Sequence, residues 1–366
     1  MSFARIAGRV RKGAPLAQAD GLALFAHPDL MEVGSLANEA RERRHGDRAY
    51  FNRNLHINPT NVCVSACRLC SFSRRRATDA GAFVLGVDEA VGKLRACLAA
   101  GQRPSEVHVV GGLHAGLPFD YFTSLVAGLK TTAPDITVKA FSAVEIFFFH
   151  RLYGMSIEEV LRRLMAAGLG ALPGGGAEIL SPRVRRLICP NKCGADEWLE
   201  VHRAAHRLGL PSNATMLYGT VETLGERVEH LLRLRELQSE TGGFLAFVPL
   251  PFHPENTALA ELPAPTAAES LRVLAVSRLL LPNVPHIKAY WVSLGLATAQ
   301  TALWFGADDL DGTISEEKIY HQAGARTPEG LSADEIVRLI RAAGRVPVER
   351  DTFYALARPA AAKEAP

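Results

Sequence analysis

The chain has 366 residues, 48% of them hydrophobic, with 41 Lys and Arg against 38 Asp and Glu for a formal charge of +3. That balance excludes a disordered chain, a collagen and a disulfide scaffold, and no basic block supports nucleic-acid binding. The length allows about two to three domains, or one large α/β barrel.

Residues 1–49 read as an N-terminal helical extension, with no apolar run long enough for a signal-peptide core. Later apolar stretches such as Val144 to Phe149 fall far short of the roughly 20 residues a membrane span needs. No membrane partner is expected, and the expected location is the cytoplasm. From about residue 50, short β-branched or apolar runs alternate with longer amphipathic ones. Strands are expected at Asn54–Asn58, Val107–Gly111, Thr137–Phe141, Ala171–Pro173, Asn213–Leu217, Phe244–Pro249, Ile287–Trp291 and, more weakly patterned, Ala307–Leu310. Helices are expected near 88–100, 118–132, 156–168, 195–208, 223–240, 266–281 and 332–344.

Four of those helices open with the S/T-x-x-E capping box: Ser156/Glu159, Thr223/Glu226, Thr266/Glu269 and Ser332/Glu335. Gly168, Gly209 and Gly344 stand where a helix ends on a left-handed residue. Strand–helix alternation with strands this short implies parallel strands and helical crossovers. Seven or eight such units predict a TIM-type (β/α) barrel over 50–350, followed by a tail at 351–366 whose Ala/Pro-rich end, ARPAAAKEAP, should fray.

Barrel enzymes carry their chemistry at the C-terminal ends of strands. The residues there are Pro59-Thr60-Asn61 with a cysteine loop, Gly111 to His114, Ser142 and Glu145, Pro173 to Glu178, Tyr218-Gly219, and Pro251 to Asn256. In the cysteine loop, Cys63-x-x-x-Cys67-x-x-Cys70, three of the six cysteines fall within eight positions. Without a secretion signal, that clustering points to metal or redox chemistry. Three thiolates can hold three irons of a [4Fe–4S] cluster and leave the fourth iron open to an outside ligand. The competing reading is structural zinc, which needs four ligands and usually a CxxC knuckle.

CxxxCxxC after the first strand of a (β/α) barrel resembles the radical S-adenosylmethionine superfamily. The resemblance implies that fold, a [4Fe–4S] cluster on Cys63, Cys67 and Cys70, and S-adenosylmethionine bound at the open iron. It further implies that Gly111 and Gly112 meet the methionine amino group, that Glu178 and Glu145 meet the ribose, and that Met216 and Tyr218 line the adenine. The position before the third cysteine, often aromatic in the superfamily, is Leu69 here, and Phe72 is the nearby substitute.

The blocks HINPTNVC, VVGGLH, VKAFSAVEI, LPGGGAEI, NATMLYG, GGFLAFVPLPFHPEN and GADDLDGTISEEKIYHQAGA together resemble the aminofutalosine synthase family, from about Leu55 to Arg326. That family acts in menaquinone biosynthesis. Its 5′-deoxyadenosyl radical adds to 3-[(1-carboxyvinyl)oxy]benzoate, and loss of the carboxyl group gives 6-amino-6-deoxyfutalosine. The resemblance also implies an electron donor such as flavodoxin or ferredoxin. The two substrate carboxylates need cationic or donor partners. The candidates are His56, Arg74, His253, Asn256 and Lys288, with Asp309, Asp311 and His321 as a possible base or proton relay. The alternative is a sister enzyme that abstracts hydrogen, the cyclase later in the same route or a deazaflavin-forming synthase.

Other features have plainer readings. His202 and His206 lack the Glu of an HExxH motif and read as ordinary helix residues. Cys189 and Cys193 read as free thiols, Cys97 as core, and Arg74-Arg75-Arg76 as a solvated run with Arg74 closest to the site. Gly174–Gly176 lacks the Lys-Ser/Thr of a P-loop. His253, between prolines, either contacts ligand or caps local backbone. Asp308, Asp309 and Asp311 lack a correctly placed EF-hand Glu, so a turn or substrate-side role is favoured over calcium.

Overall fold

The computed structural model of the chain describes residues 2–314 and 317–356. Its strands are β1 (Arg48–Asn52), β2 (Asn54–Ile57), β3 (Glu106–Val109), β4 (Thr137–Ala140), β5 (Leu169–Ala171), β6 (Ser212–Tyr218), β7 (Phe244–Pro251), β8 (His286–Ile287), β9 (Asp309–Gly312) and β10 (Val346–Glu349). Its helices are α1 (Phe3–Arg11), α2 (Gln18–Ala26), α3 (Leu30–His45), α4 (Val87–Ala99), α5 (Phe119–Thr132), α6 (Ala143–Tyr153), α7 (Ile157–Ala166), α8 (Pro182–Ile188), α9 (Ala195–Arg207), α10 (Leu224–Thr241), α11 (Ala267–Leu280), α12 (Trp291–Leu294), α13 (Leu296–Ala302), α14 (Ile319–Gln322) and α15 (Ala333–Ala342).

Each of the eight expected strands has a counterpart, all in parallel pairings, but β5 lies two residues before the expected Ala171–Pro173, and of Ile287–Trp291 only Ile287 is strand, Trp291 opening α12. Single parallel bridges at Leu172–Ser212 and Lys288–Asp309 join the sheets, and β1 pairs with β9. β1 and β2 act as one broken strand, so the ring closes as a (β/α) barrel. β1 and β10, which the sequence pattern did not single out, pair with each other and extend this wall on the N-terminal side. Thr223/Glu226 and Ser332/Glu335 form complete capping boxes. Ser156 and Thr266 supply only the hydroxyl half; the Glu269 carboxylate instead meets Arg227 at 2.7 Å. Gly168, Gly209 and Gly344 take positive φ as expected. α1 to α3 pack on the outside, α3 against α11 and α2 against α10 and α11.

The first residues of the expected tail, from 351, close the barrel floor. Thr352 Oγ1 donates to Glu106 Oε2 at 2.8 Å, and the Tyr354 ring stacks on His286 with centroids 3.4 Å apart. Asp309 Oδ2 accepts from the Tyr354 hydroxyl at 2.7 Å and from Arg350 Nε at 2.6 Å. The reason is electrostatic: buried carboxylates need partners, and this short segment supplies two donors, Thr352 and Tyr354, beside that of Arg350. The end ARPAAAKEAP lies outside the described residues. Among the described residues no helix is long and apolar enough to cross a membrane.

Candidate active site

The cysteine loop leaves β2 and is tied down on all sides. Thr60 Oγ1 donates to the Phe83 carbonyl and accepts from the Val62 amide. The Asn61 side chain donates to Gly81 O and accepts from Phe83 N, both at 2.9 Å. Amides of Cys63, Val64 and Arg68 donate to carbonyls of Arg74, Leu113 and Ile188. None of the six cysteines is in a disulfide; Cys63 and Cys70 are partly exposed and Cys67 is buried. Burial raises the Cys67 thiol, opposed by the Lys192 ammonium and by Ser65, whose hydroxyl lies 3.3 Å from its Sγ. Three soft donors on one rigid loop, none spent on a disulfide, fit an iron–sulfur cluster with one open corner.

The next strand ends pack against this loop. Gly112 donates its amide to Thr60 O at 2.8 Å, and a Cβ there would lie 2.2 Å from Val62 O. A Cβ on Gly111 would lie 3.0 Å from Thr60 O. The glycines are therefore required first by backbone-to-backbone contact with the cysteine loop. Ser142 and Glu145 form a capping box on α6. Glu145 Oε2 accepts from the Ser142 amide and hydroxyl, both at 2.7 Å, and Oε1 from the Gly111 amide at 3.1 Å. Burial pushes this carboxyl up to about 7 against those bonds. Glu145, expected at the ribose, thus has both oxygens engaged in holding Gly111 and the cap. Glu178, in the left-handed region at φ +45°, pairs with Lys192, which also faces Cys67.

Below the loop lies a polar floor. His56, His108 and Lys139 are in register on β2, β3 and β4, one layer beneath the barrel mouth. The two imidazole centroids are 4.7 Å apart, and burial holds His56 below and His108 well below the usual histidine range, so both are neutral. Lys139 pairs with Glu106 at 2.6 Å, and Lys288 with Asp311 at 3.1 Å. Burial would raise Asp311, but Lys288, then Arg350 and Lys139, outweigh it and hold the carboxyl below its ordinary range. Asp311 is a counter-ion there, which does not suit it as a base. His108, Lys139 and Lys192 escaped the sequence reading. The signal for Lys139 was a lone charge at an inward position of an otherwise apolar strand.

Several other expected site residues lie elsewhere. The Ser212 hydroxyl bonds His202 and His206 on α9, and Arg227 of α10 lies over the Tyr218 ring. With period 2, Met216 and Tyr218 then face the helices, and Asn213, Thr215 and Leu217 face the lumen. Phe72 is 4% exposed and packs edge-on against Phe83, so it offers no stacking face. Arg74 spends its guanidinium on the carbonyls of Ser71, Phe72, Ser73 and Ala80. His253 Nε2 donates to Ser293 O at 2.8 Å, and Asn256 Nδ2 to Gln322 O at 3.0 Å, so both fasten loops. Asp309 begins β9 at the barrel floor, engaged with Arg350 and Tyr354, far from the mouth-end role expected of it.

His321 is engaged at both ring nitrogens. Nδ1 lies 3.0 Å from Glu317 Oε2 and Nε2 2.9 Å from Thr327 O, so both nitrogens donate and the ring is an imidazolium. The bond to Glu317 raises its pKa to about 9. A raised value means its stabilisation is complete below the free-histidine pKa near 6.5 and is lost as pH climbs through about 9. The wild type should melt higher than His321→Gln at pH 6, and the gap should vanish by about pH 10. A gap that ignores pH would refute the imidazolium.

The plainer readings also have locations. His202 and His206 serve the Ser212 hydroxyl. Burial pushes the thiols of Cys189 and Cys193 up to about 12 and about 11. Asp308 binds Arg278, His286 and the Ile287 amide.

Fold and site define a barrel enzyme with a three-thiolate mouth over a buried floor of paired charges. Residues 57–234 match the Radical SAM superfamily, and residues 241–362 match the CofH/MqnC C-terminal region. Aminodeoxyfutalosine synthase of Thermus thermophilus is 46% identical, covering 95% of this chain and 94% of that one. The Streptomyces coelicolor protein of that name is 44% identical over 96% and 92%. A Methanopyrus kandleri 5-amino-6-(D-ribitylamino)uracil–L-tyrosine 4-hydroxyphenyl transferase is 41% identical over 95% and 94%. Among solved structures, methylornithine synthase superposes with a TM-score of 0.74 at 19% identity, covering 93% of this chain and 97% of that one, which supports the fold. The chain belongs to the aminodeoxyfutalosine synthase family of radical SAM enzymes.

Proposed function

We propose that the protein joins the 5′-deoxyadenosyl group of S-adenosylmethionine to the enol-ether carbon of 3-[(1-carboxyvinyl)oxy]benzoate, with loss of the carboxyl group, to form 6-amino-6-deoxyfutalosine. When bound, the cluster held by Cys63, Cys67 and Cys70 and reduced by a carrier such as flavodoxin or ferredoxin supplies the radical from S-adenosylmethionine. Glu145 and Ser142 hold the glycine pair against the loop, and Glu178 with Lys192 flanks it. The carrying observation is the floor. Two ammonium groups, Lys139 and Lys288, stand in a lumen that barrels of this type fill with Val, Ile and Leu. Among the described residues each meets one carboxylate, so each keeps donors for an anionic substrate. The neutral rings of His56 and His108 add donors without adding charge.

The test is anaerobic turnover of reconstituted protein with S-adenosylmethionine and the enolpyruvyl benzoate. A covalent adenosyl product supports addition. Free 5′-deoxyadenosine in step with substrate consumption would overturn it in favour of hydrogen abstraction. The 41% relative adds a control, 4-hydroxyphenyl transfer from L-tyrosine to the ribitylaminouracil, which should be absent. The floor has its own test. Lys139→Met alone would leave Glu106 buried and unpaired, so it is combined with Glu106→Gln. The double variant should raise the KM for the benzoate by about 10- to 100-fold, the worth of one charge-assisted bond. Cleavage of S-adenosylmethionine without substrate should persist. An unchanged KM would remove Lys139 from the substrate site.

A further inference from the structure

The counter-ions of the two lumen lysines are both held by one short segment. Arg350 to Leu356 is a closed loop. The Asp351 amide donates to Ala355 O at 3.0 Å, the Asp351 carboxylate accepts from the Phe353 and Ala355 amides at 2.9 and 2.8 Å, and Arg350 bridges to Leu356. The Arg350 amide ties this loop to Phe51 O at 2.9 Å. From that base Thr352 Oγ1 donates to Glu106 Oε2 at 2.8 Å, the same oxygen that lies 2.6 Å from Lys139 Nζ. Arg350 Nε and the Tyr354 hydroxyl donate to Asp309 Oδ2 at 2.6 and 2.7 Å. The other Asp309 oxygen accepts from the Asp311 amide at 2.5 Å. Asp311 stands in the left-handed region at φ +67°, so its backbone needs that hold. Its carboxylate then meets Lys288 at 3.1 Å. Thr352, Glu106, Lys139, Asp309, Arg350 and Lys288 are all buried.

An ammonium group carries three donors, and a counter-ion free to turn competes with a ligand for them. A carboxylate held by a second donor keeps one orientation and pulls less on its lysine. We infer that the segment Arg350–Tyr354 positions the substrate-binding ammonium groups, Thr352 acting on Lys139 through Glu106, and Arg350 with Tyr354 acting on Lys288 through Asp309 and Asp311. The inference rests on the reading that both lysines bind the anionic substrate. Thr352, Arg350 and Tyr354 are positioning residues. Each fixes the carboxylate partner of a lysine, and together they fix the placing of two cations that a dicarboxylate has to meet.

The test compares Thr352→Val, which keeps the shape and removes the donor, with Thr352→Ser, which keeps the hydroxyl. Both are made as reconstituted holoenzyme and assayed with 3-[(1-carboxyvinyl)oxy]benzoate. Released from Thr352, Glu106 should take more of the Lys139 donors. The KM for the benzoate should then rise by about 3- to 10-fold, beyond any fall in kcat. Calorimetry on the oxidised holoenzyme, which binds without turnover, should show the same loss of affinity. Thr352→Ser should bring both values back to within about twofold of wild type. Tyr354→Phe keeps the ring stacked on His286 and loses the bond to Asp309, so its KM should rise by a similar factor. A wild-type KM in either Thr352→Val or Tyr354→Phe, whatever its melting temperature, would overturn the inference by showing that the segment serves the fold alone. A Thr352→Ser defect equal to that of Thr352→Val would also overturn it. Absence of benzoate binding by the unmodified enzyme would overturn the functional reading and this inference together, whereas binding that ignores the variants overturns the inference alone.

Discussion

Cys67→Ala should yield a folded barrel with no bound cluster and no detectable cleavage of S-adenosylmethionine. Cys67 is buried at the centre of the loop, beside Ser65 and Lys192. Removing one of three thiolates leaves two ligands for a cube that needs three. Cys63→Ala and Cys70→Ala should behave alike. The checks are iron and sulfide content after anaerobic reconstitution, the visible absorption of the cluster, and turnover. The fold should survive, since the loop is anchored by backbone bonds and by Thr60 and Asn61, not by the thiols. Full iron content with full activity in any of the three would defeat the metal assignment.

Gly112→Ala should be nearly as damaging, by a different route. The added methyl would meet the Val62 carbonyl oxygen at 2.2 Å, and that atom is backbone, one residue before Cys63. Either the end of β3 or the cysteine loop must shift. Overpacking of this kind costs about 1–3 kcal/mol. The shift should displace Cys63 and reduce iron content while far-UV circular dichroism stays close to wild type. Gly111→Ala is the internal comparison. Its nearest contact, 3.0 Å to Thr60 O, asks for a few tenths of an ångström. It should therefore retain more cluster than Gly112→Ala. Equal iron content in Gly112→Ala and wild type would show that the contact yields freely, and would return the glycine requirement to a bound ligand alone.

The two variants mark what a linear reading could and could not reach. CxxxCxxC announced its chemistry because thiolate ligands close together in sequence are close in space. GG was legible as a place of close approach, but the partner that approaches, the Val62 carbonyl, belongs to the cysteine loop some fifty residues earlier. Glu145 shows the same limit from the other side. Ser142-Ala-Val-Glu145 spells a capping box as plainly as Thr223-Leu-Gly-Glu226 does, yet its position after a strand drew it toward the ribose. In the fold the box and the Gly111 amide take up both carboxylate oxygens.

The strand faces were the hardest to assign. Met216 and Tyr218 look inviting in NATMLYG, but a single contact outside that segment, Ser212 to His202 and His206, fixes which parity faces the lumen. Arg74, His253, Asn256 and His321 had the right chemistry for binding anions, and each is spent on a carbonyl or carboxylate of the chain itself.

From the sequence by itself came the alternating strands and helices, most cap positions, the barrel, and the loop of three thiolates, because each follows from residues within a few positions of one another. Tertiary structure alone decided which charges meet in the lumen. Lys139 with Glu106, Lys288 with Asp311, and Asp309 with Arg350 and Tyr354 are pairings between different strands, or between strands and the closing segment. A buried ion must find its partner wherever the closed ring brings one within reach, and ring closure is a property of the whole chain.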